Sequence, residues 1–400
     1  MVRIGILSQA TNFHCQKWAL ALQKAGFEVV VFSLEDAQIP NVKVVSLHKG
    51  KYSYLTFWQK RKALRLAILR EKIEILNPMH LTPFGTWAKW ANVGLPIVAQ
   101  AMGADVLEYA PAYEPIYKLI QQRGWAKDKV SSRRTFIQEL KHRYFSQQVQ
   151  KFCNTATYLI PDNEWIAYGL EKWFNVPKEK YHVAYWGIET EKFDTVQLAD
   201  IEYVKNLLQI KPHQKVVLSP RGIKPIYQAD VIFEAFKDVN AFWGDRVKFI
   251  MLGASYGGNR RFVSQLENYS QHNSNFVYLS YLPSQYMPAL WKITDIFISA
   301  PIYDGYSAAL AEGRYAGAIP IVNHTPATEN LIFNGKNGFI LRNFNVKKLS
   351  SVLNATLRSV DELKPKFAAE NIKWTLAKGL FSHTVDKFKQ VICDKLLAKK

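Results

Sequence analysis

The sequence predicts an α/β protein built from two doubly wound, Rossmann-like parallel sheets facing a cleft. Three observations predict it. Short apolar runs rich in β-branched residues, of the length of a buried parallel strand, recur at 2–7, 28–32, 215–218, 247–252 and 295–300. Helical patterns alternate with these runs in both halves of the chain. The 400 residues, 48% hydrophobic and 14% aromatic, supply enough apolar material for two cores.

In the first half, residues 2–7 and 28–32 read as strands around an amphipathic helix at 13–24, which Gly26 ends. The N-terminus holds one Arg and a short apolar run, so it reads as a first strand and not as a signal peptide. Residues 51–70 mix Tyr52, Tyr54, Phe57 and Trp58 with Lys60, Arg61, Lys62 and Arg65. That composition fits a membrane interface and equally a surface helix with one buried stripe. A strand at 73–76 leads to a loop at 77–85 carrying His80, and a strand at 95–101 runs into Met102, Gly103, Ala104 and Asp105. Ligands of open α/β sheets sit at such strand ends. From 113 to 151 the pattern is helical and basic, including Lys118, Arg133, Arg134 and Arg143. It reads as an acceptor or lipid-headgroup surface, or as a solvated helix face. A strand at 158–161 follows, and Asn163 caps a helix to Phe174.

Charged and polar residues prevail from 190 to 213. The second half restarts with the strand at 215–218, a Pro/Gly loop holding Arg221 and Lys224, and a helix at 229–236. Residues 247–252 lead into Gly253, Ala254, Gly257 and Gly258, and a strand at 276–282 brings Tyr281 and Leu282 to its end. After 295–300, Pro301, Asp304 and Gly305 break the run, Ser307 is an N-cap, and Ala308 to Ala311 are helix formers. Helices at 346–357 and 382–397 close the chain. The expected domains are 1–195, 196–380 and a terminal helix at 381–400.

The stretch from Thr294 to Leu341 carries the chemistry. A strand feeding a helix through a small-residue loop presents backbone N–H groups and a positive dipole end, which suits phosphate. Asp304 in the loop and Glu312 in the helix add two carboxylates that can accept hydroxyl protons from a sugar diol. A nucleotide sugar has that layout, although an acid pair eight positions apart also arises on any solvated helix face.

The ordered series Asp304, Glu312, Gly317-Ala318-Ile319-Pro320-Ile321-Val322, Glu329 and Gly335-Lys336-Asn337-Gly338-Phe339 resembles the donor-site motif of retaining family-4 glycosyltransferases with the GT-B fold. The segment His182 to Phe193 resembles the one that closes their N-terminal domain, which implies an inter-domain linker near 190–213, in agreement with the charged and polar residues there. The resemblance covers the second half and, thinly, the first. It implies transfer of a sugar from a UDP- or GDP-linked donor to an acceptor hydroxyl, with a terminal helix crossing back to the first domain. Arg221, Lys224, Gly253, Tyr281, Leu282, Asp304, Gly305, Tyr306, Ser307, Ala308 and Glu312 are then the donor residues. Asp304, Arg221 and Asp105 are the catalytic candidates, and His14, His80, Met102 and Gly103 the acceptor-side ones. Three departures stand out: Asn12-Phe13-His14 replaces the family's glycine pair, Met102 stands where its His or Trp does, and Ile226 occupies its Lys position.

No Asp-x-Asp metal motif precedes the donor segment, so a metal-independent hexosyltransferase is expected, with no cofactor beyond the nucleotide sugar. The net charge of +19, from 52 Lys and Arg against 33 Asp and Glu, implies an anionic partner. Without a nucleic-acid motif, an anionic membrane surface is preferred to nucleic acid, with a glycan or lipid-linked acceptor. The expected place is cytoplasmic, peripheral on the inner face of the membrane. Cys15, Cys153 and Cys393 are too scattered for a disulfide framework and read as buried thiols. Two other classes stay open: a nucleotide-sugar-binding protein without transferase activity, and a GT-B epimerase or phosphorylase.

Overall fold

The computed structural model describes residues 1–48, 53–110, 136–253 and 260–397. Contacts divide the described chain into two units, one holding residues up to 185 together with 382–397, the other residues 186–381. The boundary expected at 195 therefore lies within the second unit. Residues 190–213 are not an open linker, because helices Glu191–Asp194 and Leu198–Leu208 occupy most of them. Val204 and Leu208 are buried on the second helix, a three-to-four spacing that its charged neighbours masked in the sequence.

The first unit contains β1 (Arg3–Leu7), β2 (Glu28–Ser33), β3 (Lys43–Ser46), β4 (Ile75–Pro78), β5 (Val98–Ala101) and β6 (Tyr158–Pro161). Four strands pair in parallel in the order β3-β2-β1-β4, and β5 pairs with β6. A parallel bridge between Leu76 and Ile97 joins the two sets. The resulting order, 3-2-1-4-5-6, is that of a dinucleotide-type doubly wound sheet. Buried runs on both faces explain why these strands read as continuous apolar stretches. β4 begins two residues later than its apolar run at 73–76 predicts, since Ile73 packs in the core ahead of the ladder. β3, only partly buried at the sheet edge, had no such signal.

The second unit contains β7 (Lys215–Ser219), β8 (Val247–Leu252), β9 (Phe276–Leu279), β10 (Ile296–Ser299), β11 (Ile319–Asn323) and β12 (Phe339–Leu341). Their order is β12-β11-β10-β7-β8-β9, all parallel, which repeats the topology of the first unit. Phe233, Phe236, Phe249, Phe276, Leu349 and Leu353 belong to its core. The order reverses between β7 and β10, the position at which open sheets of this kind bind ligands.

Helix Phe13–Lys24 and the N-caps Asn163 and Ser307 stand where the sequence places them. Helix Val360–Lys378 has no clear apolar stripe and carries Pro365, so its pattern gave no notice of it. Helix Phe381–Ile392 sets Phe388 edge-to-face against Trp18 at 5.2 Å and Phe27 at 6.3 Å, within the first unit. Cys15 and Cys153 are buried, and burial pushes their thiols up to about 11 and about 12. Cys393 departs from the buried reading and is exposed. Among the described residues, no helix is long and apolar enough to cross a membrane.

Candidate active site

In the second unit the loops after β7 and β10 flank the reversal of strand order, and several bonds hold them together. Ile302 N–H donates to the Ile226 carbonyl at 2.8 Å, and the buried Gln228 side chain donates to the Ala300 carbonyl at 3.0 Å. Asn323, at the end of β11, donates to the Pro301 carbonyl at 2.9 Å. These bonds fix the backbone before any ligand arrives.

Arg221 is the hub of the site. Its Nη2 lies 2.9 Å from Asp304 Oδ2, its Nη1 donates to Ser307 Oγ at 2.6 Å, and its guanidinium sits 4.2 Å from the centroid of Tyr227. Ser307 Oγ also accepts the Leu310 N–H at 3.3 Å as the N-cap of helix Ala308–Tyr315. One cation, one carboxylate and a helix N-terminus thus converge, with Gly305, Tyr306 and Ala308 in the same turn. Burial pushes the Asp304 carboxyl up, and the Arg221 guanidinium and Gly305 N–H offset only part of that. Asp304 in turn raises Arg221 against its own burial. A group that is costly to charge when buried is stabilised by a nearby opposite charge, so an incoming anion would compete with Asp304 for Arg221.

Lys224 is half-buried on the same loop, directly before the turn Pro225–Tyr227. Ile226 gives its backbone carbonyl to the bond from Ile302, and nothing in the structure explains its apolar side chain. Gly253, at the end of β8, has φ +128°, and a Cβ there would meet the Gly222 Cα at 2.7 Å. Only glycine lets the two loop backbones approach so closely. Ala254, Gly257 and Gly258 lie outside the described residues. Leu282 is buried while Tyr281 is 71% exposed, so of the two only the tyrosine has its side chain open.

Glu312 Oε2 accepts the indole N–H of the fully buried Trp291 at 2.9 Å. Trp291 packs edge-to-face on Phe297 at 5.2 Å, and a Cβ on Gly313 would come within 2.7 Å of it. No sequence signal marks Trp291 or Tyr227, since neither lies at a motif position and both act through packing.

In the first unit, Asp105 is buried, and its Oδ2 and Oδ1 accept the backbone N–H groups of Leu81 at 2.7 Å and Met102 at 3.0 Å. Through these two bonds it holds the loops after β4 and β5. His80 Nδ1 lies 3.7 Å from the same carboxylate. Burial lowers His14, with the charges of Lys17 and His80 acting in the same direction. Met102 follows β5 directly, and Gly103 takes φ +101°. Most of the basic segment 113–151, including Lys118, Arg133 and Arg134, lies outside the described residues.

Comparison with known proteins places this geometry. Residues 3–132 match the family model described as glycosyl transferase 4-like, and residues 200–374 match glycosyl transferases group 1. Sucrose-phosphate synthase from Thermosynechococcus elongatus superposes with a TM-score of 0.77 at 11% identity, covering 100% of both chains. Anabaena Alr3699/HepE, in complex with UDP-glucose, gives 0.72 at 12% identity, covering 98% of this chain and 100% of that one. WaaG, a glycosyltransferase involved in lipopolysaccharide biosynthesis, gives 0.73 at 14% identity over 98% and 100%. No curated protein matches the sequence. Both halves being matched, the chain belongs to the family-4-like, group 1 glycosyltransferases of the GT-B fold.

Proposed function

We propose that the protein is a retaining, metal-independent hexosyltransferase that moves a sugar from a UDP- or GDP-linked donor to an acceptor hydroxyl. The acceptor is a glycan or lipid-linked sugar, met at the inner face of a membrane in cell-surface glycan or glycolipid synthesis. The observation that carries the donor chemistry is the convergence of Arg221, Asp304 and the Ser307-capped helix at the reversal of strand order. The UDP-glucose held by Alr3699/HepE on the same fold supports a nucleotide-sugar donor.

As the glycosidic bond breaks, the leaving diphosphate gains charge. Groups aimed at that charge lower the barrier more than they tighten ground-state binding. Arg221 and the backbone N–H groups of Tyr306 to Ala308 supply them, so the positive side chain takes the part a metal ion has elsewhere. Asp304, released from Arg221 by the diphosphate, accepts hydroxyl protons of the transferred sugar and orients its anomeric carbon. The acceptor hydroxyl attacks on the face from which the diphosphate leaves, which retains configuration.

Arg221→Lys keeps the charge and loses the fork, so turnover is expected to fall on the order of 10²-fold with a smaller change in donor affinity. Asp304→Asn is expected to lower turnover through misplacement of the sugar. Steady-state kinetics, with NMR of the product anomer and a chelator control, reads all of this. If both variants keep wild-type turnover, the donor site is wrongly assigned. An inverted product rejects retention, and loss of turnover on chelation rejects metal independence.

A further inference from the structure

Helix Tyr54–Arg70 of the first unit has two unlike faces. The inner one is anchored by Phe57, edge-to-face on Phe84 at 5.5 Å and Trp87 at 5.2 Å, with Leu64 and Ile68 also buried. Tyr54 adds a hydroxyl contact to Thr86 at 3.1 Å. Its hold is complete without the outer face.

On that outer face Leu55 is 61% exposed, Trp58 48%, Leu66 69% and Leu69 55%. At 3.6 residues per turn these four and Lys62 fall within an arc of about 80°. Large apolar side chains seldom gather on one exposed stripe unless something covers it. The helix also carries Lys60, Arg61, Lys62, Arg65 and Arg70 and no acidic residue. The Arg61 guanidinium lies 3.9 Å over the Trp58 ring and donates to the Trp58 carbonyl at 2.6 Å, so cation and ring form one amphipathic unit.

We infer that this outer face is a docking surface for an anionic lipid bilayer, with Leu55, Trp58, Leu66 and Leu69 entering the interface and the basic side chains meeting lipid headgroups. Charge decides between occupants. A second copy would bring the exposed Lys62, Arg65 and Arg70, within or beside the stripe, against themselves, whereas an anionic surface matches them and the net charge of +19. A helix lying in the interface plane needs this combination of an apolar stripe with basic flanks. The proposal rests on the transferase reading only in making the membrane the place where the acceptor is met.

The test is flotation of the full chain with vesicles of phosphatidylcholine alone or mixed with phosphatidylglycerol, without donor or acceptor. Wild type is expected to float with the mixed vesicles at low salt, and to be released as salt rises. Lys62→Gln with Arg65→Gln is expected to weaken that binding about 25-fold, at about fivefold per charge. Leu66→Glu with Leu69→Glu is expected to weaken it at least about tenfold, with circular dichroism unchanged because both residues are exposed. No preference for anionic vesicles, or equal flotation of the variants, overturns the inference. So does light scattering that shows a dimer which the leucine variant dissolves, since a second copy then covers the face. Nucleotide-sugar turnover in detergent-free buffer is measured separately, so failure of flotation and failure of the donor chemistry are told apart.

Discussion

At the residue scale, the proposed donor site depends on side chains held by others. Arg221 is aimed by Tyr227 beneath it and by Ser307, and Asp304 balances its charge. Glu312 is aimed by Trp291, whose ring is locked by Phe297 and by the bare Cα of Gly313. A carboxylate fixed in this way loses little rotamer entropy when a ligand hydroxyl arrives. Glu312→Gln keeps the shape and removes the charge, and is expected to weaken nucleotide-sugar binding by roughly 1.5–3 kcal/mol. Trp291→Phe removes the charge-assisted hydrogen bond that aims this carboxylate and is expected to weaken the same binding by less than Glu312→Gln does. Isothermal titration with the donor measures both, and an unchanged dissociation constant for Glu312→Gln removes that residue from the site.

At the element scale, the segment around Trp186-Gly187-Ile188 is tied to the end of helix Val360–Lys378. Ile188 N–H donates to the Gly379 carbonyl at 2.9 Å, and Phe381 N–H returns to the Ile188 carbonyl at 2.9 Å. Trp186 stacks edge-to-face on Phe381 at 5.3 Å. Gly187 has φ +66°, and a Cβ there would lie 2.5 Å from the Leu380 carbonyl carbon. Both the conformation and the space exclude a side chain. Gly187→Ala is therefore expected to destabilise the second unit by about 3 kcal/mol. Urea unfolding reads it, and an unmoved midpoint would show that the tie carries no stability.

At the scale of the whole molecule, the chain is discontinuous: its last helix supplies core to the unit that its first residues begin. Phe388 fills the space between Trp18 and Phe27, and Thr384 Oγ1 donates to the Tyr185 carbonyl. The first unit is thus closed by a contact between residues 370 positions apart, the kind of long-range contact that slows folding in general. Phe388→Ala is expected to cost the first unit about 3–5 kcal/mol. Hydrogen exchange at β1 and β2 measures this, and unchanged protection there would mean the helix docks without contributing core.

The sequence by itself determined the alternation of strands and helices, the N-caps Asn163 and Ser307, and the order of the motif from Asp304 to Phe339, because periodicity and capping are local properties of the chain. Its spacing also put Arg221 and Asp304 on loops after strands. Only the tertiary structure made those strands β7 and β10, neighbours at the reversal of sheet order, and so set an Arg and an Asp 83 positions apart within 2.9 Å. The same holds for Asp105, whose carboxylate the fold buries between two backbone N–H groups. It holds again for helix Tyr54–Arg70, where the sequence left membrane face and buried stripe as alternatives. Packing assigned Phe57, Leu64 and Ile68 to the core and left Leu55, Trp58, Leu66 and Leu69 outside. Which side of an amphipathic helix meets the core depends on what the rest of the chain brings against it, and no local pattern holds that information.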